Sequence, residues 1–329
     1  MGQTILVTGG AGFIGSNLVR YILENRPDDR VINLDGLTYA GNMESLAEFV
    51  DEPRHEFVHC DINNSEKLDE IMPKADVVLH LAAESHVDRS IHNPSLFLQT
   101  NIIGTFNILQ ASRGTQVERI VHTSTSEVYG TAQYIPIDEK HPLQPQSPYS
   151  ASKIGADAMA MSFYYSFQLP LTVARPFNTY GPRQSARAVI PTIITQLAAG
   201  ARAIKLGDLR PTRDFNFVLD TCKGMIMLAE SDRTIGDVYN IGSNHEISIG
   251  ELASKIMQLM GSEAEIISET ERLRPQNSEV LRLHCDNQKI KQTVGFEPDF
   301  SLEEGLKMTI DWFSQKENLA KYKTDLYNI

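Results

Sequence analysis

The chain has 329 residues, 41% hydrophobic and 22% charged, too long for one minimal domain and with apolar material for a sizeable core. Its 42 acidic against 30 basic residues give a net charge of −12, so a nucleic-acid or anionic-membrane surface would need a local basic patch opposing that field, and the sequence offers none. No run reaches the roughly 18 to 20 apolar residues of a bilayer span, and the start MGQTILVTGGAGFIG lacks the basic and long apolar regions of a secretory signal, so a cytoplasmic protein is expected.

Short β-branched runs at 4–8, 31–34, 56–59, 77–81 and 119–123 read as successive strands. Amphipathic stretches at 14–25, 65–71 and 94–112 lie between them, with apolar residues recurring every three or four positions. That alternation predicts an α/β fold, a Rossmann-type doubly wound parallel sheet with right-handed crossovers. Beyond about residue 175, Pro176, Pro182, Pro191 and Pro211 break the pattern into shorter pieces. The expected division is a nucleotide-binding domain over 1–175 and a smaller C-terminal α+β substrate lobe over 176–329. Segments within about 213–243 return to the first domain, and strands are predicted at 171–174 and 237–241. Cys60, Cys222 and Cys285 match neither a zinc pattern nor a disulfide framework, so buried reduced thiols and no metal are expected.

The strongest local signal follows the first strand. Gly9, Gly12 and Gly15 open a helix there, as a diphosphate requires if it is to touch backbone N–H groups with no Cβ between. Glycine-rich turns are common and most bind nothing; strand before and helix after raise this one above that background. Twenty residues beyond Gly15, Asp35 ends the second strand, where a carboxylate accepts ribose hydroxyls and repels a 2′-phosphate, favouring NAD over NADP. Asp61 and Ile62 after the third strand are candidates to flank the adenine. Farther along, Ser147 and Pro148 mark a helix start, which sets Tyr149 and Lys153 four apart on one face. Such pairs are mostly solvated helix surface. The run 123–127 ending the preceding strand changes that, because strand C-termini face the ligand crevice. Tyr149 becomes a candidate base for a sugar hydroxyl, its phenol drawn toward neutral pH by a neighbouring ammonium and a nicotinamide cation, with Thr125 donating to the reacting oxygen.

Several motifs in order then carry a resemblance over nearly the whole chain: TGGAGFIG at 8–15, HLAAESHVDRS at 80–90, TSTSEVYG at 123–130, YSASK at 149–153, RPFNTYGPRQ at 175–184, RDF at 213–215 and RPQNSEVLRLHCDNQKI at 274–290. The chain resembles the extended short-chain dehydrogenase/reductases, and within them the nucleotide-sugar 4,6-dehydratases and 4-epimerases. The resemblance implies bound NAD, with Phe13, Ile14, Leu81, Ala82, Ala83 and Pro176 lining its site beside the glycines. It also implies that Tyr149 deprotonates the sugar C4 hydroxyl, that Lys153 lowers the tyrosine pKa and holds the nicotinamide ribose, and that Glu127 removes the C5 proton. On the substrate side it implicates Glu84, Ser85, His86, Asn178, Val189, Arg213, Arg274 and Glu279, and it implies a homodimer. Ser126 departs from the pattern: the best-known dehydratases place an aspartate there, and a serine hydroxyl is far too weak an acid to protonate a leaving hydroxyl. Around TSTSEVYG and RPFNTYGPRQSARAVIP the chain is similar to enzymes of the legionaminic and pseudaminic acid pathways, which act on UDP-N-acetylglucosamine or its derivatives. A UDP-sugar is therefore the expected partner. Three alternatives stand beside a full dehydratase: an enzyme that takes a pre-formed 5,6-ene sugar, a 4-epimerase, and a non-catalytic NAD-binding regulator.

Overall fold

The computed structural model describes residues 2–269, 272, 275–320 and 322. Strand and crossover helix alternate from the start: β1 (Thr4–Thr8), α1 (Phe13–Asn25), β2 (Arg30–Asp35), β3 (His55–His59), α2 (Ser65–Ile71) and β4 (Val77–His80). Next come α3 (Val87–His92), α4 (Pro94–Phe97), α5 (Thr105–Ser112), β5 (Arg119–Thr123), α6 (Pro148–Phe167) and β6 (Leu171–Pro176). The later elements are β7 (Asn178–Tyr180), α7 (Val189–Ala198), β8 (Ala203–Leu206), β9 (Thr212–Phe217), α8 (Val218–Ala229), β10 (Val238–Ile241), β11 (Glu246–Ser248), α9 (Ile249–Leu259), β12 (Glu265–Ser268), α10 (Gln288–Val294) and α11 (Leu302–Ser314).

Seven strands form one parallel sheet in the order β3-β2-β1-β4-β5-β6-β10. Helices cover both faces, which is why β1 is apolar throughout: Ile5 and Val7 face one core, with Leu18 and Ile22 of α1 and Met225 of α8, while Leu6 faces the other, with Leu68, Ile108 and Phe163 of α2, α5 and α6. Strand order reverses between β1 and β4. A crevice opens at their C-terminal ends, where ligands bind in open α/β sheets. Of the segments expected to return to the main sheet, α8 packs beside β5 and β6 and β10 pairs with β6, whereas β9 joins a separate three-stranded sheet with β7 and β11.

The stretch expected as one helix over 94–112 is interrupted. Leu98–Gly104 is a π-helical segment between α4 and α5, an insertion that often marks functional sites. Gly104 lies where a Cβ would stand 2.4 Å from Ile62 Cδ1, so the segment sits close on the third crossover. Within it Asn101 is buried and accepts from Glu84 N at 2.8 Å while donating to Glu84 O and to Ser152 Oγ. The three cysteines are buried thiols. Among the described residues no helix is long and apolar enough to cross a membrane and no cluster of side chains could hold a metal ion.

Candidate active site

A cavity of about 1200 Å³ lies along the crevice and extends under the later elements. Every described residue named from the sequence as a cofactor, catalytic or substrate contact lines it; Arg274 lies outside the described residues. On the β1 side, Gly9 has φ +72°, and a Cβ there would meet Ala82 N at 2.7 Å. At Gly15 a Cβ would lie 2.1 Å from Gly9 O, so only glycine lets α1 sit this close to the strand. No side chain caps α1 at Gly12, which leaves the positive end of the helix facing the cavity, as an anionic diphosphate would need. Beneath this turn Thr8 Oγ1 accepts from Leu81 N and Ala82 N and shares a proton with His80 Nδ1 at 2.7 Å, fixing the start of the loop after β4.

Asp35 ends β2 as expected. Ala11 N and Leu37 N donate to its two oxygens at 2.9 and 2.7 Å, which aims the carboxylate along the cavity wall; burial still pushes its pKa up. Because a 2′-phosphate would meet this anion, Asp35→Ala is expected to reduce the preference for NAD over NADP by about tenfold or more, equivalent to ~1.4 kcal/mol. Titrating both dinucleotides against variant and wild type checks this, and an unchanged preference would locate ribose recognition elsewhere.

At the far side of the crevice, α6 begins with a reciprocal cap between Ser147 and Ser150 and with Pro148 in its first turn. Tyr149 and Lys153 follow on the face toward β5. The 3₁₀ turn Ser126–Tyr129 is capped by Thr125, whose Oγ1 accepts from Glu127 N at 3.2 Å. Thr125 also hydrogen-bonds the Tyr149 phenol, which packs edge-on against Phe97 at 6.1 Å between centroids. Burial and the nearby Glu127 charge raise the phenol pKa, and among protein groups the downward influence comes from Thr125. Lys153 Nζ donates to Thr123 O at 2.6 Å, and burial brings its own pKa to about 8. Ser126, at the position that is aspartate in the best-known dehydratases, is 2% exposed.

The substrate-side residues are more engaged with each other than isolated motifs suggested. Glu84 is buried and paired with Arg89 at 3.1 Å, and Arg213 is paired with Glu279 at 3.1 Å. Ser85 holds the phenol of Tyr39, its Oγ 3.0 Å from the hydroxyl, and His86 has φ +74°, a left-handed conformation for a bulky residue at a ligand-lining turn. Asn178 Oδ1 is buried with no partner among the described residues, a polar atom on the cavity wall available to a ligand.

Sequence reading missed Tyr39, Asn101 and Arg187. Tyr39 bridges from the loop after β2 to Ser85, with the Arg89 guanidinium 3.5 Å above its ring and that of Arg187 at 5.2 Å. Arg187 lines the cavity, and among the described residues it has no carboxylate within ion-pair distance; its Nε is buried and unpaired. A lining guanidinium without a counter-charge suits an acceptor oxygen of the ligand. Arg187→Gln is expected to raise the KM for a nucleotide sugar by about tenfold with kcat held within about twofold, as loss of uniform binding does. A kcat loss of the same size would instead tie Arg187 to the chemical step.

A model of the family described as GDP-mannose 4,6 dehydratase matches residues 6–309. The low-salt glycan biosynthesis protein Agl12 of Haloferax volcanii is 41% identical over 310 residues, covering 94% of this chain and 98% of that one. A double mutant of DesIV, the dTDP-glucose 4,6-dehydratase of Streptomyces venezuelae, crystallised with NAD, is 37% identical with a TM-score of 0.88, covering 95% and 97%. The UDP-N-acetylglucosamine 4-epimerase of Methanobrevibacter ruminantium, in complex with UDP-N-acetylmuramic acid, is 30% identical with a TM-score of 0.85, covering 95% and 98%.

Proposed function

This chain belongs to the GDP-mannose 4,6-dehydratase family, the NAD-dependent nucleotide-sugar dehydratases and epimerases among the extended short-chain dehydrogenase/reductases, and from that premise we propose that it is a 4,6-dehydratase-type enzyme acting on a sugar of the UDP-N-acetylglucosamine series. The observation that carries the dehydratase reading is a second acid–base group beside the first: Glu127 and Tyr149 line one cavity, the Glu127 charge acts on the phenol, and Thr125 hydrogen-bonds both the phenol and Glu127 N. A bare epimerase has no use for a base at C5. The sugar series is supported by the likeness of TSTSEVYG and RPFNTYGPRQSARAVIP to enzymes of the legionaminic and pseudaminic acid pathways, and on this reading the product serves nonulosonic acid or surface-polysaccharide synthesis.

NAD would supply the acceptor for the C4 hydride and the donor of hydride to C6. The glycine turn of α1 would hold its diphosphate and Asp35 its adenosine ribose, with Asp61 and Ile62 beside the adenine. Tyr149 takes the C4 hydroxyl proton while Thr125 donates to the same oxygen. Lys153 favours the phenolate by its charge. Once C4 is a ketone the C5 proton is acidic, Glu127 removes it, and the C6 hydroxyl leaves as water with the proton that Glu127 has gained. Glu84, Ser85, His86, Asn178 and Val189 shape the sugar pocket; Arg213, Arg274 and Glu279 hold the nucleoside diphosphate. Residues 1–175 form the dinucleotide-binding unit and 176–329 most of the substrate lobe, in a cytoplasmic homodimer.

Ser126 favours a second reading. A buried serine cannot supply the acid for water loss, so the enzyme would receive a sugar already converted to a 5,6-ene, with the hydride taken from C4 delivered to C6 and a proton to C5. Incubation with UDP-N-acetylglucosamine, and separately with the pre-formed 5,6-ene, followed by mass spectrometry, separates the two. Loss of one water from the first substrate supports the full dehydration; turnover of the ene alone supports the second reading, and turnover of neither overturns the sugar series.

A further inference from the structure

Tyr149, Lys153 and Asp157 recur every four residues along one face of α6, and the third of them is used by no step above. Asp157 is buried at the base of the site and contacts His122 of β5, Ser124 just after it and Arg175 of β6. Its Oδ2 accepts from Ser124 Oγ at 2.9 Å and from Arg175 Nε and Nη2 at 3.1 and 2.9 Å, and its Oδ1 lies 3.3 Å from His122 Nε2. His122 and Ser124 are the two chain neighbours of Thr123, whose carbonyl accepts from Lys153 Nζ at 2.6 Å. One carboxylate thus grips β5 on both sides of the carbonyl that seats the lysine, one residue short of the Thr125 hydroxyl that meets Tyr149.

The charges around Lys153 make that grip electrostatic as well. From β4 and β5, His80 and His122 are pushed down by burial and by the lysine itself, and stay neutral. Arg175 of β6 is a second buried cation. Burial alone drives Lys153 down, and Asp157 is the group that opposes it, so the ammonium depends on that carboxylate. Arg175 is held in turn by Tyr129, whose hydroxyl donates to Asn240 Oδ1 at 2.7 Å, so the carboxylate is anchored from behind.

We propose that Asp157 is a positioning residue of the reaction: it keeps Lys153 protonated and fixes the Thr123 carbonyl that aims it at the dinucleotide crevice. This rests on the reading of Tyr149 as the C4 base, and the two fail separately. Loss of that reading shows as activity in Tyr149→Phe, whereas loss of this one shows in a pH profile.

The test is the pH dependence of kcat in Asp157→Asn. With its counter-ion gone the lysine loses its proton at lower pH, so the alkaline limb moves down by about one unit or more, kcat at neutral pH falls by about tenfold or more, and KM stays within about twofold. Because Asn leaves Arg175 buried and unpaired, the double variant Asp157→Asn/Arg175→Met is measured in parallel. It removes both charges and should regain melting temperature while keeping the shifted limb. A purely structural role predicts the opposite: activity that recovers with stability, and an alkaline limb at the wild-type pH in either folded variant. That result overturns the proposal.

Discussion

Replacing Tyr149 by phenylalanine should lower turnover by about 10²–10⁴-fold, the usual contribution of a positioned acid–base group, while NAD stays bound. The phenol is the one group on α6 that both reaches the cavity and can take a proton from a sugar hydroxyl; Lys153 is occupied by Thr123 O. Phenylalanine keeps the edge contact with Phe97, so folding and the glycine turn on the opposite wall should be untouched. Steady-state assays combined with the retained dinucleotide absorbance check both halves. Near-normal turnover would remove Tyr149 from the mechanism, and loss of the dinucleotide would recast it as a binding residue.

Glu127→Gln should have a comparable effect on a different bond. If Glu127 takes the C5 proton, the amide abolishes exchange of that hydrogen with solvent deuterium and lowers overall turnover by about 10²–10⁴-fold, yet C4 oxidation survives and reduced dinucleotide accumulates. The cap from the Thr125 hydroxyl uses only the backbone N–H of Glu127, so the turn survives the change. Exchange at the wild-type rate would show that another group acts at C5.

Much of this architecture is legible in the residues because both faces of the sheet are covered: uninterrupted β-branched strands alternate with amphipathic helices, and strands 4–8 and 119–123 were read to the residue. Glycine turns and a tyrosine–lysine pair are local patterns, so their positions are local information. What escaped is non-local. Asn101 hides inside a helical period, and only the π-helical turn points it at Glu84. Tyr39 and Ser85 are 46 residues apart and meet only across the crevice. The pairings Glu84–Arg89 and Arg213–Glu279 place three charges read as separate ligands, Glu84, Arg213 and Glu279, in ion pairs.

The proposed reaction turns on a hydride leaving C4 as Tyr149 takes the hydroxyl proton and arriving at C6 of the same sugar. UDP-N-acetylglucosamine carrying deuterium at C4, turned over by the holoenzyme and read by NMR, tests this directly. Deuterium at C6 of a 4-keto-6-deoxy product is the predicted result. Deuterium retained at C4 of an epimerised or unchanged sugar would contradict it.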